Sequence, residues 1–314
     1  QLPGFTFAAG GEIERVTFKG GAKKGNSDTS ANILQFGTQD GPNKDVSAHV
    51  KDCTFGHFKF KTAIANYGAS SQIEDNAFSD APGGTAISLI SNAKGKSGKQ
   101  GAVENNILRN QFHLGGKHTS VQVTGSKARE GLFLGENISD IGGRFLHVDD
   151  KGGLKDADII GNTVQGEQAR KHDAILDFEQ GVLDNVNVAG NAFAGFDLDT
   201  QFAEAYETQS YLESGDQYSD ADRAEHVVRV SEAAKIRENG LQLKGNNLSF
   251  AKHDNEAISI DGKKNQQRTS VIANVIRNSK ENGTDHKTAD GGVSNGVGQL
   301  RGNVGSGDKE YRRK

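Results

Sequence analysis

Short runs of alternating apolar and polar residues recur along the chain at nearly regular intervals. One run consists of an aliphatic residue, two variable positions, asparagine, one variable position and an apolar residue, as in "IEDNAF" and "VAGNAF". Alternation over so few residues predicts short β-strands that bury one face. The run recurs at Asn76, Asn110, Asn137, Asn162, Asn191, Asn246, Asn274 and Asn303, with weaker copies at Val16 and Cys53.

A second alternating run follows these copies and is rich in β-branched residues, as in "SVQVTG" (120–125) and "AISIDG" (257–262). Successive asparagines are 25 to 34 residues apart, except for one step of 55 that contains the run "VVRVSE". That step is about two normal steps long. A period of this size with two or three short strands predicts a solenoid of stacked coils. The repeated asparagines would then form a ladder of hydrogen-bonded side-chain amides.

Composition narrows the possible classes of protein. The 314 residues include 41 glycines, three prolines and 7% aromatics, which suits many tight turns around a thin core. The formal charge of -4 offers no basic surface for nucleic acid. Cys53 is the only cysteine, so no internal disulfide is expected, and no apolar run approaches the length of a transmembrane helix. The absence of methionine, even at position 1, indicates a removed leader or a part of a longer chain.

The repeat and the "AISI" type of strand together resemble the right-handed parallel β-helix of the pectate-lyase-like superfamily, over roughly residues 10 to 305. We therefore predict an all-β fold, with one β-helix domain of about ten coils over 1–314, a loop excursion at 197–224 and a polar tail at 304–314. The resemblance implies a secreted or cell-surface protein. Uncapped coil ends would favour end-to-end or side-by-side self-association.

Aligning the second runs separates inward from outward side chains. The early coils present neutral groups outward, whereas three consecutive later coils present charged groups. The first outward column is predicted to hold Gln35, Asn66, Ser88, Gln122, His147, Asp177, Arg229 and Ser259. The second column is predicted to hold Gly37, Gly68, Ile90, Thr124, Asp149, Glu179, Ser231 and Asp261.

Three carboxylates on adjacent rungs about 5 Å apart would repel one another unless a cation lay among them. We therefore expect Asp149, Asp177 and Glu179 to be ligands of a hard cation such as Ca²⁺.

The resemblance extends to calcium-assisted lyases that cleave uronic-acid polysaccharides by β-elimination. It implies an anionic polysaccharide as the partner, with Arg229 as carboxylate clamp or base and His147 as an auxiliary acid or base. Lys151 is an alternative base. Motifs of particular families are missing, among them the Asp-Pro-His motif of mannuronan epimerases and the lysine motif of alginate lyases.

The 197–224 excursion would place a loop beside this patch. We expect its tyrosines, Tyr206, Tyr211 and Tyr218, to bind the substrate by stacking on sugar rings. Two alternatives stay open. A glycoside hydrolase could use two carboxylates about 5 Å apart, and a structural or adhesin module would need no catalysis at all.

Overall fold

In a computed structural model of the protein, strands from each coil stack on their counterparts in the next coil. The structure describes residues 4–19, 32–38, 45–56, 61–68, 70–79, 84–91, 104–114, 118–141, 143–149, 151–165, 174–194, 226–238, 240–249, 257–277, 293 and 297–305. Their strands, numbered β1 to β31 in chain order, pair in parallel to form three sheets. The protein is a right-handed parallel β-helix, as predicted.

Sheet A carries the candidate site, and its nine strands follow one another in chain order. They are β1 (Phe5–Phe7), β4 (Asn32–Phe36), β7 (Thr62–Asn66), β10 (Thr85–Ser91), β13 (Thr119–Gly125), β17 (Arg144–Val148), β20 (Ala174–Phe178), β23 (His226–Val230) and β27 (Ile258–Ile260).

Sheet B has twelve strands, of which β14 and β24 lie beside the main order. They are β2 (Gly11–Glu14), β5 (Ser47–Lys51), β8 (Ser70–Glu74), β11 (Asn105–Leu108), β14 (Arg129–Glu130), β15 (Leu132–Gly135), β18 (Gly153–Ile160), β21 (Gly181–Ala189), β24 (Ala234–Ile236), β25 (Leu241–Lys244), β28 (Thr269–Ile272) and β30 (Gln299–Arg301).

Sheet C has ten strands, again in chain order. They are β3 (Thr17–Lys19), β6 (Thr54–Gly56), β9 (Ala77–Ser79), β12 (Gln111–Leu114), β16 (Ile138–Ile141), β19 (Thr163–Gln165), β22 (Ala192–Ala194), β26 (Asn247–Ser249), β29 (Val275–Arg277) and β31 (Val304–Gly305). The helix α1 (Lys263–Gln267) lies between sheets A and B.

The core is a narrow column, as the composition predicts, but among the described residues it includes seven fully buried phenylalanines as well as aliphatic side chains. Leucine, isoleucine and valine from all three sheets fill it and are almost fully buried. Phe55 stacks on Phe78 with ring centroids 4.9 Å apart, and Phe78 stacks on Phe112 at 5.1 Å. Equivalent positions in successive coils therefore contact one another along the column.

The asparagine ladder between sheets B and C is confirmed. From Asn76 to Asn303, each Nδ2 donates to the Oδ1 of the next asparagine at 2.9 to 3.1 Å. Each Oδ1 from Asn110 onwards also accepts from the backbone N–H of the preceding asparagine. The ladder thus satisfies polar groups that the core would otherwise leave buried without partners.

A left-handed residue precedes each ladder position. It is Arg109 (φ 53°) before Asn110 and Ala273 (φ 55°) before Asn274, while Gly245 (φ 65°) serves Asn246. The turn imposes this conformation, and several coils accept it with a side chain that has a Cβ.

The long step of 55 residues is one coil rather than two. Asn191 Nδ2 donates directly to Asn246 Oδ1 at 2.9 Å, and β23 is the only strand that sheet A gains between β20 and β27 among the described residues. The 197–224 excursion itself lies outside the described residues. Val304–Gly305, at the start of the predicted tail, form strand β31 of sheet C; the rest of the predicted tail, residues 306–314, lies outside the described residues.

Candidate functional site

A row of polar side chains crosses the outer face of sheet A. His147 pairs with Asp177, and Asp177 pairs with Arg229 on the following strand. Gln122 and Ser259 continue the row on either side. Residues in register on adjacent strands lie about 4.8 Å apart. The register of the predicted first column is therefore confirmed from Gln122 to Ser259.

One earlier member of that column is wrong. Ala65, not Asn66, pairs with Gln35 and with Ser88. Asn66 lies one position further along, is fully buried and accepts a hydrogen bond from the Gly68 N–H at 2.7 Å. Asn66 therefore shapes its own turn, and Gly68 belongs to that turn rather than to the second column.

Three potential ligand side chains meet in the charged part of the row. His147, Asp177 and Glu179 each offer one nitrogen or oxygen atom, and these atoms all lie within 4.8 Å of one another. His147 Nε2 lies 2.9 Å from Glu179 Oε2. The Glu179 side chain is 43% exposed, whereas that of His147 is 8% exposed and that of Asp177 is fully buried. Glu179 is thus the accessible member of this ligand cluster.

Arg144 is the charge partner of Asp177. Its Nε lies 2.8 Å from Asp177 Oδ2, and the Arg144 side chain is 19% exposed. The direction of this contact is unfavourable, however, so neither Asp177 carboxylate oxygen has a hydrogen-bond partner and Arg144 Nε also lacks one. The distance establishes Coulombic attraction, while the geometry leaves the carboxylate lone pairs unsatisfied.

The surroundings shift the pKa of two of these side chains. Burial is the main cause that raises the pKa of Asp177 to about 6, with Glu179 adding to the rise and Arg144 opposing it. Burial, followed by the charge of Arg144, lowers the pKa of His147 despite its bond to Glu179. His147 is therefore neutral at pH 7.

Contacts of the imidazole indicate which of its nitrogens carries the proton. Arg144 Nη1 lies 3.5 Å from His147 Nδ1, at the outer limit of a hydrogen bond. A guanidinium group only donates, so Nδ1 is the acceptor and Nε2 carries the proton. Nε2 then donates to the Glu179 carboxylate.

The other predicted site residues lie around this cluster. Asp149 accepts a hydrogen bond from Gln122 Nε2 at 3.0 Å and is not one of the three clustered ligands, although its charge favours the protonated form of His147. Arg229 is in register beside Asp177 and partly exposed, and Lys151 is exposed just beyond β17. The predicted substrate-binding residues lie outside the described residues: Tyr206, Tyr211 and Tyr218.

Arg144 is the residue that the sequence pattern did not reveal. Strict alternation back from His147 would point Phe145 outward and Arg144 inward. Phe145 and Leu146 are instead both buried, and the Phe145 ring lies 6.3 Å from that of Phe112 in the core. Alternation is therefore interrupted at the start of the strand, and Arg144 reaches Asp177. The sequence signal for this interruption was the pair of adjacent apolar residues, Phe145 and Leu146.

The fold and this patch define the class of protein: a parallel β-helix with a partly buried, charged ligand cluster on one outer face. Comparisons with protein-family models, with curated proteins and with solved structures found no significant match. Among the residues that the structure describes, no helix has the length and apolar character needed to cross a membrane.

Proposed function

We propose that the protein binds an acidic polysaccharide along the outer face of sheet A and cleaves it by β-elimination beside His147, Asp177 and Glu179. The observation that carries the proposal is the concentration of charge on β17, β20 and β23, with Arg144 and Arg229 beside the three clustered ligands. A solenoid whose charged side chains served only to solvate its surface would gain nothing from burying Asp177. The resemblance to the pectate-lyase-like superfamily supports the same interpretation.

The reaction would begin with neutralisation of a uronate carboxylate. Arg229 contacts that carboxylate, because it is partly exposed and a guanidinium fork matches the two carboxylate oxygens. Neutralisation makes the neighbouring C–H more acidic. A base removes this proton, the electron pair forms a C=C bond, and the bond to the glycosidic oxygen breaks as that oxygen takes up a proton from water.

Lys151 acts as the base, since it is an exposed basic residue just beyond β17 and Arg229 is already engaged with the carboxylate. His147 is almost fully buried and bonded to Glu179, so its role is to hold that carboxylate in place. A polymer of this kind is met outside the cell, and a secreted or surface location is part of the proposal.

Calcium, which the resemblance implies, fits the cluster poorly. Calcium takes six to eight oxygen ligands, whereas the three clustered side chains offer one imidazole and two carboxylates, one of them fully buried. Calcium binding by Asp149, Asp177 and Glu179 stays a prediction, and a titration with Ca²⁺ and Zn²⁺ tests it.

The direct test is a screen of purified protein against alginate, pectate, glycosaminoglycans and bacterial capsule polymers. Ultraviolet absorbance reports unsaturated ends, and a parallel assay reports reducing ends. We expect unsaturated ends from one polymer and a loss of at least about 100-fold in Arg229→Ala or Lys151→Ala. Arg301→Ala and Lys244→Ala, which change exposed residues of sheet B, are matched controls that should keep full activity.

Other outcomes would replace the proposal by a specific alternative. Reducing ends without ultraviolet absorbance would identify a glycoside hydrolase. No cleavage of any polymer would favour a non-catalytic structural or adhesin module. Equal losses in the sheet B controls would show that surface charge in general, and not this patch, drives the reaction.

A further inference from the structure

The ligand cluster of His147, Asp177 and Glu179 is assembled by strand register. His147 and Asp177 are partners on β17 and β20, and Glu179 follows Asp177 by two residues, on the same side of the chain. The three ligand atoms come within 4.8 Å of one another. Two donors of a tetrahedral ion, each about 2.1 Å from it, are about 3.4 Å apart, so closing the cluster requires its farthest pair of ligand atoms to approach by up to about 1.4 Å.

A second, independent observation is that Asp177 lacks well-placed partners for its carboxylate lone pairs. Asp177 is fully buried, and neither of its carboxylate oxygens has a hydrogen bond. A buried carboxylate without donors is costly, and the misaligned contact with Arg144 satisfies its charge without satisfying its lone pairs. A cation coordinated by Asp177 would supply what the surrounding side chains do not.

The donor set selects the kind of cation. One imidazole nitrogen with two carboxylates suits zinc, cobalt, nickel and manganese, whereas calcium and magnesium prefer oxygen ligands throughout. We propose that His147, Asp177 and Glu179 bind one divalent first-row transition-metal ion. This inference deepens the proposed function and rests on it for the role of the ion in catalysis, but the binding itself requires no substrate.

Arg144 would be the residue that the ion displaces. If the ion coordinates His147 Nε2, the proton moves to Nδ1, which then no longer accepts from Arg144. The present contact of 3.5 Å is weak, so little is lost when it opens. The guanidinium group and the ion are thus competing partners for Asp177.

The test is a metal titration of untagged, chelator-treated protein without polysaccharide. Calorimetry measures Zn²⁺ and Ca²⁺ binding, and the visible absorption of Co²⁺ reports nitrogen and oxygen coordination. We expect one equivalent of Zn²⁺ or Co²⁺ to bind, and affinity to fall at least about ten-fold in His147→Gln and in Glu179→Gln. His49→Gln and Glu12→Gln, on the outer face of sheet B, are matched controls expected to bind as the parent does.

Three results would overturn the inference: no binding of either transition metal, binding that His147→Gln leaves unchanged, or Ca²⁺ that displaces Co²⁺ at equal concentration. The Glu179 side chain is 43% exposed, so Glu179→Gln tests the site even if another variant fails to fold. Metal binding without polymer cleavage would uphold the site and reject the lyase. Polymer cleavage that a chelator leaves unchanged, together with no metal binding, would uphold the lyase and reject the metal site.

Discussion

Arg144 Nε lies 2.8 Å from Asp177 Oδ2, close enough for an ion pair but in a direction that does not satisfy the carboxylate lone pairs. The pair therefore combines a fully buried carboxylate with a cation that only partly compensates it. Burial of a charged group is tolerated when hydrogen bonds satisfy it and is otherwise destabilising. Because the Asp177 carboxylate is buried and only partly compensated, its ionisation makes the stability of the protein depend on pH.

Asp177→Asn should stabilise the metal-free protein at pH 8. Burial raises the pKa of Asp177 from 3.8 to about 6, so the folded state holds its proton more tightly than the unfolded state does. The destabilisation is absent below pH 3.8, grows as pH rises, and is complete above about pH 6. At about 1.36 kcal/mol per pKa unit, the gain in Asp177→Asn is about 3 kcal/mol at pH 8.

Urea unfolding in the presence of a chelator, at pH 8 and at pH 4, measures this gain. The advantage of Asp177→Asn should largely disappear at pH 4. Glu12→Gln, an exposed carboxylate on sheet B, provides the comparison and should change stability little at either pH. A destabilised Asp177→Asn at pH 8 would mean that the charged form is the better partner of Arg144.

The ladder makes a separate prediction about the interior. Asn162 Nδ2 donates to Asn191 Oδ1 and to the Leu134 carbonyl, and its Oδ1 accepts from the backbone and side chain of Asn137. Asn162→Ala should lower the free energy of unfolding by about 3 kcal/mol or more, because it leaves several buried groups unpaired. Asn187→Ala removes only a partly buried bond to Asp158 and should cost less than about 1 kcal/mol. Equal losses in denaturant unfolding would show that ladder bonds add nothing beyond ordinary surface amides.

Much of the fold follows from the sequence because its signals are repeated. A buried polar residue must be hydrogen-bonded, and a constant spacing lets neighbouring copies satisfy one another. The spacing of Asn110 and Asn137 is therefore enough to predict that they pair. The prediction of the first column was wrong in "AIANYG". Ala63, Ile64 and Ala65 are all apolar there, so alternation does not fix the register. A shift of one residue then exchanges inward and outward side chains.

The candidate site was predictable only where the strands are regular. His147 and Asp177 occupy one column, and alternation continued one residue past β20 adds Glu179. Arg144 escaped because the two buried residues that follow it interrupt alternation at the start of β17. Cation binding by Asp149 stays a prediction, and its hydrogen bond to Gln122 depends on side-chain rotamers that a residue pattern does not encode.

At the turn before each ladder asparagine, glycine should be more stabilising than alanine, the reverse of its usual effect. Ala273 has φ 55°, a conformation that costs a residue with a Cβ about 1 to 2 kcal/mol, partly offset by the greater freedom of unfolded glycine. Ala273→Gly should therefore raise stability by about 0.5 to 1 kcal/mol. Gly245→Ala, at the equivalent turn one coil earlier, should lower it by a similar amount or more, since nothing lies within 4 Å of the added Cβ and only the backbone is affected. Thermal and urea unfolding of the pair measure both signs; a destabilised Ala273→Gly would locate the constraint elsewhere in the turn.

Arg144→Gln should strengthen metal binding while leaving the three ligands in place. The guanidinium group lies beside both Asp177 and His147. Its charge repels an incoming cation, and its Nη1–H donates to His147 Nδ1. At an effective dielectric constant of about 20, removing one charge some 5 Å away is worth up to about 3 kcal/mol, and partial exposure reduces this to roughly ten-fold in affinity. Co²⁺ titration of Arg144→Gln against the parent, at low and high salt, gives the value, and added salt should narrow the difference. Unchanged affinity would show that Arg144 does not compete for Asp177, and weaker binding would make Arg144 a support of the ligand cluster.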